Sequence, residues 1–446
     1  LFVVKRQFFC HKKAQKTQNK ILQQSTTIIK DQSTVSGYSW YALWLLTLVY
    51  VFNYLDRTII YILLPLLKKE MAFTDLQLAM LGSMSFVIFF TVLGIPFGRL
   101  ADRAVRKNMI AVGLAVWSLF SGLTGFANGF WSLLLCRVMV GVGEATLGPA
   151  ALSLLSDYFP PRVRATVQAI YSSGIAIGAG LAFFLGGWLG QYYGWRVAFY
   201  ALGFPGLVIA VLVYLLREQP RGKTETATTK YTAHDWKILF KSVPLRYHYL
   251  GYGCFGLAAN NLSFWGATFV TRVYKLDLVT IGFYGGVLTL IAGVPGTILG
   301  GYFADRFRRF GRGGRMLFGA LAALIAVPFW LLFIFSGSLL MLLVANLVLL
   351  ALSLVWLGPA AADVHDIAGP ELRGLGIGVY FFAVIIAYGI GSLIIGQLND
   401  WLGATTTPLN MRYSMLLCPL ACLVAAVSLW RGYRAADGTA GASPSS

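Results

Sequence analysis

Long apolar runs recur along this chain, and no other feature of its sequence restricts the possible folds as strongly. A helix that crosses a bilayer needs about 20 mostly apolar residues. Twelve such runs occur, and we number them as spans 1 to 12: 40–67, 77–98, 108–128, 131–157, 165–190, 195–216, 247–271, 281–303, 315–336, 339–361, 374–399 and 409–431. The sequence therefore predicts an all-α membrane protein with twelve transmembrane helices, six on either side of a polar stretch.

The composition agrees with a membrane protein and excludes a water-soluble globule. Hydrophobic residues make up 57% of the chain and charged residues only 12%, whereas soluble domains carry about 25% charged residues. A net charge of +19 would suggest a nucleic-acid partner for a soluble chain, but in a membrane protein it indicates basic residues retained on the cytoplasmic side. The five cysteines lack the paired short spacings of a disulfide framework or a zinc site.

The 36 lysines and arginines are divided unequally between the two sides of the membrane. With the predicted spans, 28 of them fall on the side of the N-terminal tail and the central polar stretch, six fall on the other side, and two lie inside spans. We call the first side the basic face and the second the opposite face. The positive-inside rule predicts that the basic face, with both termini, is cytoplasmic, in a cell membrane that would be the inner membrane of a bacterium.

The order of the spans predicts two six-helix bundles and three polar segments. The predicted units are a basic tail at 1–38, an N-terminal bundle at 39–216, a cytoplasmic linker at 217–246, a C-terminal bundle at 247–433 and a tail at 434–446. The first tail is rich in lysine and lacks the apolar core of a secretory signal, so we expect it to be disordered. The absence of an initiating methionine suggests a fragment or a start placed upstream of the true one.

Two short patterns recur in the two halves of the chain. The stretch 98–103 returns at 301–306, in each case just after the second span of its half. Four residues of the first half return at a constant offset of 209: Asp157, Pro161, Arg164 and Tyr171 at Asp366, Pro370, Arg373 and Tyr380. This recurrence predicts a duplication, with parallel repeats related by an axis along the membrane normal. Transporters built in this way bind substrate between the halves and rock one half against the other.

These motifs resemble those of the major facilitator superfamily. The stretch 98–107 is similar to the signature loop between helices 2 and 3, although Val105 stands where that signature usually has glycine, and Arg137 with the two glycines Gly141 and Gly143 resembles the fourth-helix motif. From about residue 40 onward the chain resembles, more narrowly, the Spinster family and its bacterial members. Four strings carry that resemblance: 53–57, 137–145, 156–164 and 217–222. The resemblance implies the twelve-helix fold of the superfamily and transport by alternating access.

Four ionisable residues lie well inside the predicted spans, all in the N-terminal half: Asp56, Arg57, Arg137 and Glu144. Each costs about 2.5–3.5 kcal/mol at a helix centre, so we expect the two positive and two negative charges to pair. At comparable depth the second half offers only neutral polar residues: Asn260, Asn261, Ser263, Asn346 and Ser353.

The buried charges predict proton coupling. An arginine within about 4–6 Å lowers the pKa of a carboxyl group by about 1–3 units, and burial raises it, so a carboxylate gains a proton when its arginine moves away. We predict that Asp56 and Glu144 bind the proton, and that Arg57 and Arg137 act as switches or anion anchors. The alternative is that these are inert pairs which only fix helix packing. The Spinster resemblance implies the functional interpretation at the same four positions.

The signature loop predicts a conformational latch at the basic face. The candidates in the first half are Asp102, Arg103, Arg106 and Asp157, and the resemblance implies a second copy at Asp305, Arg309 and Asp366. The alternative is a solvated loop, in which each ion pair contributes about 0–1 kcal/mol. Because the motif occurs twice, we favour the latch.

Aromatic residues on the spans that line the cavity in this superfamily predict an amphipathic substrate. The candidate substrate-binding residues are Arg57, Arg137, Tyr54, Tyr171, Asn260, Asn261, Phe264, Trp265, Trp356 and Tyr380. An aromatic cavity with two arginines suits an apolar tail with an anionic head, and Spinster relatives, which transport sphingosine phosphate or lysophospholipids, imply the same class. The alternatives are small organic anions, sugar phosphates and drugs, since Asn-Tyr-Leu-Asp-Arg also occurs in organic-anion symporters of the superfamily.

The sequence gives no indication of an enzyme. It contains no ATP-binding glycine loop and no nucleophile elbow, so we expect neither catalysis nor a cofactor. Asp363, His365 and Asp366 favour a polar cap over a metal site. Three glycine pairs predict close helix contacts: Gly174 with Gly178, Gly296 with Gly300 and Gly374 with Gly378. The expected partners are a small-molecule or lipid substrate, protons and membrane lipids, with no nucleic acid and a monomeric state.

Overall fold

The structure is a computed structural model that describes residues 35–101, 103–220 and 239–438. The regular secondary structure within these ranges is helical. Most of the predicted tail at 1–38, most of the linker at 217–246 and the end of the tail at 434–446 lie outside the described residues, as does the predicted disorder of the first tail.

Helices in the N-terminal half reproduce spans 1 to 6. Their bounds are Gly37–Met71 for span 1; Ser85–Ala101 for span 2, after a short helix Asp75–Ala79 and a π-helical turn Met80–Met84; Arg106–Thr124 for span 3; Phe130–Glu144 with Leu147–Tyr158 for span 4; and Arg164–Gly203 with Pro205–Tyr214 for spans 5 and 6. Gly194 divides the helix Arg164–Gly203, since its φ of 84° and ψ of 163° are not helical. Glycine adopts a positive φ without strain, so the chain passes there from span 5 to span 6.

Helices in the C-terminal half reproduce spans 7 to 12. Their bounds are Val243–Val273, Leu278–Phe307 and Gly314–Phe335 for spans 7 to 9, Leu339–Leu354 with Leu357–Trp401 for spans 10 and 11, and Met411–Met415 with Leu417–Gly438 for span 12. The apolar stretches of spans 10 and 11 are Leu339–Ala368 and Leu375–Trp401. Span 10 therefore continues past its predicted end at 361, which places Asp363 inside the span.

Length and hydropathy alone identify eight membrane-crossing helical segments among the described residues. One of these, Thr166–Tyr214, has 49 residues and holds both span 5 and span 6. Spans 2, 3 and 7 do not meet those limits, because they are shorter or more polar, but each forms a helix at its predicted position. In the described part of the chain the helices thus make twelve crossings, arranged as two bundles of six.

Small residues let the helices approach closely at two of the three predicted glycine pairs. A Cβ atom at Gly178 of span 5 would overlap the carbonyl oxygen of Val51 on span 1, and a Cβ atom at Gly300 of span 8 would overlap that of Val355 on span 10. At Gly378, in contrast, nothing lies within 4 Å of the position that a Cβ atom would take. The first two pairs therefore act as predicted, and Gly378 of the third pair makes no close contact.

The two bundles meet in the part of the molecule nearer the opposite face. The Ser83 and Ser392 hydroxyls, from spans 2 and 11, form a hydrogen bond, and the Tyr388 hydroxyl donates to the Tyr61 hydroxyl at 3.2 Å. Phe264 of span 7 packs edge-on against Tyr61, with ring centroids 5.1 Å apart. These contacts between spans of different bundles close the opposite face, so the conformation is one in which access would be from the basic face.

Candidate functional site

An ion pair between Arg57 of span 1 and Glu144 of span 4 forms the centre of the site. The Nε and Nη2 atoms of Arg57 donate to Oε2 of Glu144 at 3.0 and 2.8 Å. Nη2 also lies 3.4 Å from Oδ1 of Asn53, one helical turn earlier. The side chain of Glu144 is fully buried and that of Arg57 is 18% exposed. The planar guanidinium suits this two-donor contact, and removal of either partner would leave a buried charge uncompensated.

Asp56 and Arg137 lie in the same cluster, but their side chains do not form the second ion pair that the sequence predicts. The hydroxyl of Ser121 on span 3 donates to Oδ1 of Asp56 at 2.6 Å. Nη1 of Arg137 donates to the main-chain oxygen of Asp56 at 3.3 Å. Oδ2 of Asp56 and the Nε and Nη2 atoms of Arg137 have no hydrogen-bond partner in the described structure. Oε1 of Glu144 also lacks a hydrogen-bond partner there, so the cluster retains two carboxylate oxygens and one arginine able to form new contacts.

Aromatic side chains border this cluster on span 1 and span 5. The guanidinium of Arg57 lies 4.8 Å from the ring centroid of Tyr54, a distance at which a cation is attracted by the ring. Tyr50 stacks on Tyr171 with centroids 4.4 Å apart and meets Tyr54 edge-on at 5.3 Å. Of the predicted substrate-binding aromatics, Tyr54 and Tyr171 thus lie close to the charges.

The other predicted substrate-binding residues are not gathered on one open surface. Asn260 and Asn261 donate to carbonyl oxygens of their own helix at 2.8 Å. The indole of Trp265 donates to the carbonyl oxygen of Ser392 at 3.3 Å, so it lies, like Phe264, in the contact between the bundles. The spacing of aromatic residues along a span does not show whether a residue lines a cavity or packs in the core, because both kinds of position lie on the inward faces of helices.

Trp356 and Tyr380 are buried in the core of the C-terminal bundle. Both pack on Tyr252 of span 7, with centroid distances of 5.8 and 6.2 Å. Their exposed fractions are 2% and 0%. We therefore correct the expectation that these two residues line an open cavity in this conformation: they lie inside one bundle, where aromatic packing stabilises the fold.

Two further ionisable residues of the second half are buried nearer the basic face. His248 on span 7 and Asp363 on span 10 are both fully buried. His248 is the second residue of the predicted span 7, and Asp363 lies beyond the predicted end of span 10 but within its apolar stretch, which runs to Ala368. The prediction of neutral polar residues alone concerned the depth of the N-terminal charges, and it stays a prediction.

The first predicted latch forms around Arg106 at the beginning of span 3. Its guanidinium binds Asp157, and its Nε donates to Glu218 at 2.7 Å. Arg103 is exposed, and the predicted Asp102 lies outside the described residues. Val105 has a φ of −66°, which any residue can adopt, so its replacement of glycine introduces no backbone strain here. Glu218, at the start of the polar stretch, is a partner that the sequence analysis missed.

The second predicted latch forms around Arg315 and not around Arg309. Arg315 donates to Asp305 at 2.8 Å and to Asp366 at 2.6 Å, while the guanidinium of Arg309 lies 4.7 Å from the ring of Phe310. Arg315 stands 209 residues after Arg106, the same offset that separates Asp157 from Asp366. In the second half, more residues separate Asp305 from Arg315 than separate the corresponding aspartate from Arg106 in the first half. Counting from the aspartate of the signature loop therefore leads to Arg309 and not to Arg315.

A third group of charges joins the two bundles at the opposite face, and the sequence analysis did not identify it. Asp75, just before the predicted start of span 2, accepts from Arg272 of span 7 at 2.5 and 2.8 Å and from Lys68 at 2.5 Å. Burial by itself raises the pKa of the Asp75 carboxyl, but the hydrogen bonds and charges of Arg272 and Lys68 outweigh it and lower this pKa below the usual 3.8. The Asp400 carboxylate accepts from the main-chain nitrogens of Asp75 and Leu76, both at 2.9 Å. We call this group the closing lock.

Comparison with protein-family models decides the family. Residues 46–362, more than half of the chain, match the model described as Major Facilitator Superfamily. The chain belongs to the major facilitator superfamily. This transporter therefore has the fold that its sequence motifs predict, and the expectation that it is not an enzyme is confirmed.

Three relatives of this transporter represent different branches of the superfamily. An "MFS-type efflux pump" of Mycolicibacterium smegmatis is 27% identical over 402 residues, covering 88% of this chain and 92% of the relative. "Protein spinster homolog 3" of Danio rerio is 28% identical over 414 residues, 85% and 82% of the two chains. A "Benzoate transport protein" of Acinetobacter baylyi is 30% identical over 356 residues, 71% and 74%. The resemblance to Spinster proteins is thus confirmed.

The fold of this transporter matches a solved Spinster structure. A bacterial homologue of the human lysosomal transporter Spinster, in an inward-facing and unoccupied conformation, superposes with a TM-score of 0.81 at 24% identity, covering 92% of this chain and all of the other. This likeness shows the fold.

Proposed function

We propose that this transporter couples the movement of protons to the transport of an amphipathic anion. The observation that carries the proposal is the buried cluster: the Arg57–Glu144 ion pair lies beside Asp56, one oxygen of which has no partner among the described residues. Buried ionisable groups inside a membrane span are costly, and they mark proton and substrate pathways.

Proton binding would change the contacts of the cluster in a defined way. A proton on Glu144 weakens the attraction for Arg57, and a proton on Asp56 adds a donor at its unpartnered oxygen. Tyr61 follows Arg57 by four residues, about one helical turn, and is joined to Tyr388 of the other bundle. Release of Arg57 would therefore occur next to a contact between the bundles. Alternating access requires such contacts to break and to form again.

The substrate proposal is supported by a combination of charge and apolar surface. Arg137 is buried and two of its nitrogens have no partner among the described residues, so it could bind an anionic head group. A pocket beside the contact of the bundles has a largely apolar lining that includes Leu262, Val270, Tyr284 and Leu342. A cation and an apolar surface suit the two ends of a lysophospholipid or a sphingoid phosphate.

A second candidate substrate class is a small organic anion or a drug. Two of the relatives are described as a benzoate transport protein and an efflux pump, and a carboxylate could bind the same two arginines without the apolar pocket. A thermal-shift screen of the purified protein distinguishes the classes: stabilisation by lysolipids supports the first, by benzoate or sugar phosphates the second, and stabilisation by cationic drugs alone contradicts both anion proposals.

Orientation and assembly complete the proposal. We propose that the basic face is cytoplasmic, that the units are the two bundles and polar segments given above, and that the protein acts as a monomer in a cell membrane. The charge asymmetry supports the orientation. The two latches, at Arg106 and at Arg315, would both lie on the cytoplasmic side and stabilise one access state.

Asp56→Asn tests the proton coupling directly. Asparagine resembles the protonated carboxyl in shape but cannot release a proton. We expect that an imposed pH gradient accelerates uptake of a lysophospholipid or sphingoid phosphate into proteoliposomes about tenfold with the parent protein, and has no effect with the variant.

The matched control is Asp277→Asn, the same substitution at an exposed helix cap on the opposite face. It should leave the gradient dependence unchanged. If Asp56→Asn responds to the gradient like the parent, Asp56 has no coupling role.

A further inference from the structure

A second pair of buried ionisable residues lies in the C-terminal bundle, apart from the cluster around Arg57. His248 on span 7 and Asp363 on span 10 both have an exposed fraction of 0%. Neither oxygen of Asp363 has a hydrogen-bond partner in the described structure. His248 places Nε2 2.9 Å from the carbonyl oxygen of Ala360, while its Nδ1 has no hydrogen-bond partner among the residues that the structure describes.

Aromatic rings pack against His248. The His248 ring meets that of Tyr252 at 4.7 Å and that of Tyr380 at 5.7 Å between centroids. The Tyr380 hydroxyl and the Trp356 indole nitrogen, which pack in the same group, also have no hydrogen-bond partner in the described structure. Buried polar groups are nearly always hydrogen-bonded, so a group of this kind that lacks partners requires an explanation.

The charges around Asp363 leave it without a cation of its own. Arg315 is the cation with the strongest electrostatic interaction with it, but Arg315 is held by Asp305 and Asp366. Arg308, which also acts on Asp363, lies 3.7 Å from Asp366.

Among the side chains that the structure describes, the remaining titratable groups that face Asp363 or His248 are three tyrosines, and none supplies a positive charge: Tyr249, Tyr252 and Tyr380. An ionised carboxylate with no donor and no adjacent free cation is strongly disfavoured in an apolar site. A carboxyl that carries a proton avoids this cost and gains a donor.

We propose that Asp363 is a second proton-binding site of this transporter. Asp363 takes one proton from water at the basic face and holds it while the opposite face is closed. No group of three or more metal-ligating side chains occurs in the described part of the chain, so the ligand that fits is a proton and not a metal ion. The site goes beyond the proposed coupling at Asp56 and does not depend on it.

Arg315 offers the means to release this proton. Asp363 precedes Asp366 by three residues, close to one helical turn, so both carboxyls lie on the same side of span 10. If the latch around Arg315 opens as the bundles rock, Arg315 can leave Asp366 and bind Asp363. The proton of Asp363 then returns to water, and the arginine compensates the charge that remains.

Infrared difference spectroscopy of the full-length protein in lipid membranes, titrated with pH, detects the carbonyl band of a protonated carboxyl directly. We expect a band that is absent in Asp363→Asn and that persists in Asp277→Asn, the same substitution at the exposed helix cap on the opposite face. Asp363→Glu keeps a carboxyl and should shift the band without removing it.

Two results would overturn the proposal. One is a band that Asp363→Asn leaves unchanged; the other is a carboxyl at 363 that stays ionised at every pH at which the protein is folded. If Asp363→Asn does not fold, an unshifted band in Asp363→Glu contradicts the proposal equally. Loss of the band in Asp56→Asn alone would assign it to the N-terminal cluster, so failure here is distinguishable from failure of the coupling proposal.

Discussion

Arg57 makes the contacts that hold the N-terminal charge cluster together. It binds Glu144 with two nitrogens, reaches Asn53 and lies over the ring of Tyr54. A lysine has a single ammonium group and cannot form this planar set of contacts. The proposed role of Arg57 as a switch therefore depends on geometry as well as charge.

Arg315→Gln tests the second latch at the same scale. Arg315 bridges two carboxylates. Hydrogen bonds to charged groups contribute about 1.5–3 kcal/mol to stability. Because Asp305 is exposed, we expect a contribution near the lower value. A loss of about 1.4 kcal/mol changes an equilibrium tenfold. We expect the initial rate of substrate uptake into proteoliposomes to fall about tenfold.

Arg309→Gln is the matched control for this prediction. Arg309 belongs to the same loop but lies against Phe310 and not against an aspartate, so its uptake rate should stay within about twofold of the parent. Equal losses in the two variants, or a larger loss at Arg309, would contradict the assignment of the latch to Arg315.

The sequence allowed the charged residues of the site to be predicted, but not all of their partners. A charge inside a span stands out because its burial is costly, so Asp56, Arg57, Arg137 and Glu144 are identified by depth alone. Ser121 could not be found in this way, because a serine inside a span is common and costs little. Arg315 could have been found from the offset of 209 between the halves, a signal that the loop motif obscured.

At the scale of elements, the closing lock is formed by residues at the ends of helices. The Asp400 carboxylate, at the end of span 11, caps the main-chain nitrogens that begin the helix Asp75–Ala79, where an anion is favoured by the helix dipole. Arg272 and Lys68 bind the first side chain of that helix. Four spans from the two bundles thus meet at Asp75.

Asp75→Asn should open the opposite face. Removal of this buried carboxylate leaves Arg272 and Lys68 without their partner, a loss of about 3–5 kcal/mol. The reporter is a cysteine in place of Ser83, which is fully buried between the bundles. We expect a water-soluble maleimide to modify it at least about tenfold faster in the Asp75→Asn background.

Glu70→Gln is the control for the lock, since Glu70 pairs with Arg196 at the same face but within one bundle. It should leave the modification rate unchanged. A modification rate in the Asp75→Asn background equal to that of the parent would show that the lock does not keep the face closed.

The lock should also be insensitive to pH in the range where transport operates. Because the pKa of Asp75 is lowered from 3.8, its contribution is fully present above that value and is lost only as the pH falls through the lowered pKa. Acidification from about pH 7.5 to about 5.5 should therefore not release the lock by titrating Asp75. Any opening in that range must come from other groups.

The spans themselves could be predicted from hydrophobic runs, while their ends could not. Bilayer thickness fixes the length of a run, and all twelve runs form helices. The end of span 10 was placed too early because Asp363 interrupts the apolar pattern. A buried carboxyl near the end of a span looks, in the sequence, like the start of a loop.

At the scale of the whole molecule, the two bundles are closed at the opposite face, and the charges are distributed unequally between them. The N-terminal bundle carries the ion pair of Arg57 and Glu144, and the C-terminal bundle carries Asp363 and His248. The repeat predicted the symmetric arrangement of spans and latches. It could not predict the buried charges, because each half has diverged at those positions.

The central claim is that protonation of the N-terminal cluster allows the bundles to rock. Spin labels at Lys69 and Thr405, two exposed positions of different bundles at the opposite face, report the opening as a distance measured by pulsed electron resonance. In a cysteine-free background, we predict that acidification from about pH 7.5 to about 5.5 raises the longer distance from below about 10% of molecules to a major fraction. The double variant Asp56→Asn, Glu144→Gln should show the longer distance at both pH values. A distance distribution of the parent that does not change with pH would contradict the account. So would a double variant whose distances change with pH as strongly as those of the parent.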